Sequence, residues 1–135
     1  MPQQDFEDVV KQYNKAMSGF FKGNAEPINH FYSSCDEISL AQLSGPFVLG
    51  RRQVTDAASR NAAKYREGAT TFETLAKYVT PELAYIVQLE RTKAKIGGSN
   101  EFSSLALRVT SIFRRDDGVW KLLHRHVDST VFPPG

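Results

Sequence analysis

Two imidazoles separated by one residue, His124 and His126 in GVWKLLHRHVDS (118–129), are types and spacing that could do chemistry. Alternate residues of a strand point to one side, so the pair could hold a metal ion, carry protons near neutral pH, or simply pack. A zinc site needs at least a third protein ligand. His30 and Cys35 lie in a distant segment with no spacing that ties them to the pair, so no metal or other cofactor is expected. Alternation places both imidazoles on the side of Trp120 and Leu122, opposite Leu123, although a one-residue bulge would be enough to reverse this.

Three arginines raise a second possibility: Arg91, Arg108 and Arg125. A guanidinium buried without a partner is very costly, so a buried one faces either an internal carboxylate or a bound anion. Its planar fork suits the carboxylate or phosphate of a ligand. The competing reading pairs Arg108 or Arg125 with Glu90, Glu101 or another internal acid. Tyr13 lies on an apolar helical stripe, where its hydroxyl still requires a partner. Cys35 stands beside Asp36 and Glu37, which oppose thiolate formation, so it is not expected to be a nucleophile.

Helices first and strands afterwards must position these residues. DFEDVVKQYNKAMSGFFK (5–22) carries Phe6, Val9, Val10, Tyr13 and Met17 at helical spacing, with Asp5 as N-cap. Pro27 suits the first turn of a short second helix carrying Ile28, Phe31 and Tyr32. RRQVTDAASRNAAKYREG (51–68) reads as a third helix ending at Gly68. Segment 36–43 is strand-like. From residue 70 the period becomes two, giving strands TTFETLAKYV, LAYIVQLERTKAKI, EFSSLALRVTSIFRR and VWKLLHRHVDS, with short turns between them. The tail VFPPG is expected to leave the sheet.

The class is therefore α+β, one domain over 1–135: three helices, then a long antiparallel sheet bent at bulges. Leu83, Tyr85, Val87 and Leu89 face one way and, read as the inner side, carry Arg91 near the rim and Tyr85 in the wall. Later strands are apolar on both faces. Three helices cover one face only, so the outer face is expected to pack against a second copy as a homodimer.

A balance of 17 basic against 15 acidic residues gives a net charge of +2, too little for a nucleic-acid field. No span is long and apolar enough for a membrane. Residues 1–20 have no uninterrupted apolar core, so no secretory signal is visible, and one cysteine cannot make an internal disulfide. The cytoplasm is the expected compartment.

The element order, the VVKQY of the opening helix (9–13), the GRRQV helix start (50–54) and above all RVTSIFRRDDGVWKLLHRHVDS (108–129) resemble the nuclear-transport-factor-2-like superfamily, in particular its SnoaL-like and ketosteroid-isomerase-like proteins. The closing strands also resemble the association domain of calcium/calmodulin-dependent kinases. The resemblance implies a cystatin-like cone in which helices sit in a strongly curved, mixed or antiparallel sheet around a cavity, commonly in a dimer. Tyr13 matches the isomerases' hydrogen-bond donor. Their two acids fall on Ala41 or Gln42 and on Thr110, so both are absent, and without a base proton abstraction fails. The resemblance places Arg108, Thr110 and Arg125 inward.

Fold alone does not decide function, and three readings stay open. The first is a small-molecule binding protein whose conical, partly basic pocket, with Tyr13, Tyr85, Arg91, Arg108, Thr110 and Arg125, takes an aromatic or aliphatic acid or a similar polar-headed ligand. The second is a cofactor-independent isomerase, cyclase or dehydratase using Tyr13 and, in place of the acids, His126. The third is a dimeric assembly module without a ligand.

Overall fold

A computed structural model of the chain describes residues 5–130; the VFPPG tail lies outside them. Three helices, α1 (Phe6–Phe20), α2 (Glu26–Phe31) and α3 (Arg51–Ala62), pack on one face of a six-stranded sheet. The strands are β1 (Ser39–Ala41), β2 (Val48–Leu49), β3 (Tyr65–Val79), β4 (Leu83–Ile96), β5 (Phe102–Asp116) and β6 (Val119–Ser129), in spatial order β2-β1-β6-β5-β4-β3. β3 to β6 form the antiparallel meander expected from the period of two and the short turns. β1 adds in parallel to β6 through Leu40 opposite Arg125, so the sheet is mixed.

Helix α1 starts where the Asp5 carboxylate accepts from the backbone N–H of Glu7, satisfying one of the free donors of the first turn. Its stripe of Phe6, Val9, Val10, Tyr13, Ala16 and Met17 is buried. Phe6 meets Phe113 and Trp120 edge-on with ring centroids 5.4 and 5.2 Å apart, and Tyr13 meets Phe113 at 5.2 Å. These edge-to-face contacts close one end of the helix–sheet layer.

Helix α3 stops at Ala62, six residues before Gly68, and Tyr65 already belongs to β3. A close approach explains this. The Gly68 N–H donates to the Phe21 carbonyl at 3.1 Å, and a β-carbon at position 68 would press into that carbonyl and lie 2.8 Å from Phe21 Cβ. Gly68 is needed to let a strand cross α1 closely, not to cap a helix. The ladder is irregular between Arg66 and Ala69, where Glu67 takes a positive φ of 55°, and this bend folds Tyr65 onto Phe21 with ring centroids 5.0 Å apart.

The facing of the long strands corrects the sequence reading. On β4 the buried side is Ala84, Ile86, Gln88, Glu90, Thr92 and Ala94, while Leu83, Tyr85 and Arg91 are exposed on the opposite side. On β5 the buried side is Leu107, Val109, Ser111 and Phe113, which turns Arg108 and Thr110 outward. β6 changes parity midway. Phe113 lies opposite Leu122 but Ile112 opposite His124, so Leu123 is an extra, bulged residue. Trp120 and Leu122 before it, and Arg125 after it, therefore all turn toward the helices.

Candidate functional site

Where the helices diverge from the sheet, a cavity of about 140 Å³ remains. Met17, Phe20 and Phe21 of α1 and Ile28 of α2 line its apolar wall, with Leu40 and Leu107 from the sheet. Gln42, Ser44, Asn61 and Lys64 line its polar part. Arg125 and Tyr32 also line it, and both are almost wholly buried.

Arg125 sits at the centre of a buried polar network. Its Nη1 and Nη2 donate to the two carboxylate oxygens of Glu90, each at 3.0 Å, in the bidentate geometry that is strongest for this pair. Nη1 also donates to the hydroxyl of Tyr13, which is 2.7 Å from Ser111 Oγ. Burial opposes the charged guanidinium, but the Glu90 carboxylate outweighs it, and the pKa of Arg125 lies above its ordinary value. Burial likewise pushes the hydroxyls of Tyr13 and Tyr32 up, against the pull of Arg125, so both stay protonated at neutral pH.

Each partner is placed by a different element. Glu90 comes from β4, Ser111 and Arg125 face each other across the β5–β6 ladder, and Tyr13 reaches down from α1. Tyr32 follows α2, and its backbone is pinned. Its carbonyl accepts from Arg51 Nη1 at 3.0 Å, and the N–H of Ser33 donates to the Leu122 carbonyl at 2.9 Å. The Tyr32 hydroxyl itself makes no hydrogen bond among the described residues. At the polar end, Asn61 donates to the Gln42 side-chain oxygen at 2.7 Å, tying α3 to the end of β1.

Of the candidate site residues read from sequence (Tyr13, Tyr85, Arg91, Arg108, Thr110, Arg125 and His126), Arg125 alone lines this cavity. Tyr13 stands behind it, holding Arg125, so its hydroxyl is already used by protein groups. Arg91 is on the outer face, paired with Glu73 at 2.9 Å, and Arg108 is there too, held by both oxygens of Asp128. Tyr85 stacks on Tyr78 on that same outer side, and Thr110 stands beside His126 there. His126 is exposed, and His124 lies 2.7 Å from Ser39 Oγ through Nδ1. The histidine-for-acid exchange thus has no shared cavity with Tyr13, because the sheet separates them.

Among the described residues, no three His, Cys, Asp or Glu side chains come together as a metal site, and no helix is long and apolar enough to cross a membrane. The sequence reading missed Tyr32, taken there only as an apolar position of the second helix. Glu90 was named as a counter-ion, and its pairing with Arg125 is that internal option realised.

Three helices packed on a six-stranded mixed sheet in this order form the cystatin-like, nuclear-transport-factor-2-like fold of the α+β class. Within it, residues 7–131 match the family model of the SnoaL-like domain, and the chain belongs to that family. No curated protein sequence matches it. Among solved structures, it is similar to a dehydratase candidate of the nuclear-transport-factor-2-like family from Streptomyces avermitilis, at 16% identity and TM-score 0.78, covering 95% of this chain and 98% of that one. A ketosteroid isomerase-like protein from Erwinia carotovora atroseptica aligns at 11% identity and TM-score 0.78, over 93% and 94% of the two chains. A candidate calcium/calmodulin-dependent protein kinase type II association domain from Thiobacillus denitrificans aligns at 12% identity and TM-score 0.75, again over 93% and 94%. At these identities the likeness establishes the fold alone.

Proposed function

We propose that this domain binds a small, polar-headed organic molecule in the cavity between its helices and sheet. The observation that carries the reading is the cavity's lining: apolar walls converging on Arg125 and Tyr32, the pattern of a small-molecule site with few, well-placed polar groups. An acidic ligand, expected from a basic pocket, loses its main support because Glu90 already neutralises the one arginine at the cavity. A fragment screen by thermal shift tests the reading, since a ligand at a hundred times its Kd adds about 2.7 kcal/mol of stability. Hits should vanish in Ala58→Leu, which places a larger side chain in the cavity. Hits that survive that change would place binding elsewhere.

A second feature supports self-association through the outer sheet face, as a complement to ligand binding. Tyr78, Leu83 and Tyr85 are 60, 46 and 42% exposed there, beside the half-buried Val87, Leu89 and Ile112. A contiguous apolar patch of this kind marks an interface more often than a wetted surface. Sedimentation velocity should give twice the chain mass, and Tyr85→Asp should return the monomer. A parent protein that sediments as a monomer throughout would end this reading.

A further inference from the structure

We infer that the cavity selects an uncharged, ring-sized molecule whose oxygen accepts hydrogen bonds from Tyr32 and Arg125, and that it discriminates against the matching carboxylate. This rests on the binding reading above and narrows it to a chemical class.

Three observations carry it. The first is size: about 140 Å³ is close to the roughly 150 Å³ of an engineered cavity that accepts benzene, so one ring with a short substituent fills it. The second is hydrogen-bond polarity. A guanidinium has five N–H donors. Arg125 gives three of them to Glu90 and Tyr13, and the other two have no partner among the described residues. Tyr32, 2% exposed as a residue, lines the same space, and its hydroxyl is likewise without a hydrogen-bond partner among the described residues. Both residues line the cavity, so a guest oxygen that accepts from these donors gains hydrogen bonds that the protein itself leaves unmade.

The third is charge. The positive end of the site is cancelled by a carboxylate bound bidentately to the same guanidinium, and Glu90 is fully buried behind it. A carboxylate entering the cavity would lose its hydration and meet only the near end of an ion pair, with no net charge to compensate. A ketone or amide oxygen meets the same donors and loses far less hydration. Lys64, which lines the polar part of the cavity, is exposed, so water and salt screen its charge.

The test uses the intact chain and probe pairs of equal shape. Benzamide and acetophenone are titrated against benzoate at pH 7 by ligand-observed NMR, with the Tyr32→Phe variant in parallel. The neutral probes are expected to bind at least about tenfold more tightly than benzoate, and Tyr32→Phe to weaken them about fivefold, the usual effect of losing one hydrogen bond, with melting temperature unchanged. Benzoate binding as tightly as benzamide, or neutral-probe affinity indifferent to Tyr32→Phe, overturns the charge and donor assignment while leaving a ligand site in place. If no probe of either charge binds the folded parent, both this inference and the binding reading fall.

Discussion

Replacing Glu90 by glutamine keeps the shape of the side chain and removes one charge from a pair that has no contact with water on the carboxylate side. Glutamine can still accept one of the two Arg125 hydrogen bonds, so the loss belongs at the lower end of the 3–5 kcal/mol usual when one partner of a buried pair is removed, about 3 kcal/mol. An unfolding entropy of roughly 2.1 cal/mol/K per residue gives a 135-residue chain about 0.28 kcal/mol/K, so the midpoint should fall by about 11 °C. Differential scanning calorimetry reads this directly. A combined Glu90→Leu, Arg125→Met variant should recover most of the loss, because a well-packed apolar exchange of a buried pair is often neutral or stabilising, and the cycle through the Glu90→Leu and Arg125→Met single variants should show a coupling of about 3 kcal/mol or more. Single variants that melt within about 3 °C of the parent, with additive effects, would refute the reasoning that an isolated guanidinium is what the fold cannot tolerate.

Gly68→Ala should cost about 2–3 kcal/mol, at the upper end for overpacking, because the obstacle is the Phe21 backbone and not a movable side chain; urea unfolding measures it. Asp5→Ala should cost about 1 kcal/mol through the lost N-cap, read as a lower urea midpoint at unchanged slope. His124 is held below its ordinary pKa by burial and by His126 beside it. The unfolded chain therefore takes up the proton first as acid is added, so this contribution is complete above about pH 6.5 and is lost as pH falls below it. The melting temperature should drop between pH 7 and 5, less steeply in His124→Gln.

Much of the fold was legible because its signals are local. The ends of β4 and β6 follow from turn residues on either side, and the stripe of α1 from its 3.6-residue spacing. Facing was harder to read on β4. There the outward set Leu83, Tyr85, Val87 and Leu89 is more apolar than the inward set, which includes Gln88, Glu90 and Thr92. The usual rule of apolar inside inverts where the interior houses a satisfied ion pair and the exterior is greasy. Antiparallel register supplies a signal that resolves it: the apolar side of Leu107, Val109 and Phe113 carries across to Glu90, Gln88 and Ala84. Tyr32 escaped notice for a related reason. Periodicity reads a tyrosine as hydrophobic, whereas its value here lies in a hydroxyl that no local pattern records.

The bulge at Leu123 has an implication for how this scaffold tolerates change. One spare residue lets a single ribbon seat an indole at its start and a cation further on against the same helices, although an odd number of positions separates them. Shortening the ribbon by that residue would keep both side chains in place through plain alternation, while drawing the bulge out flat would expose the cation and carry two imidazoles beneath the helices instead. The chemistry offered to a guest is thus set by slack in one strand as much as by the identity of the side chains it bears.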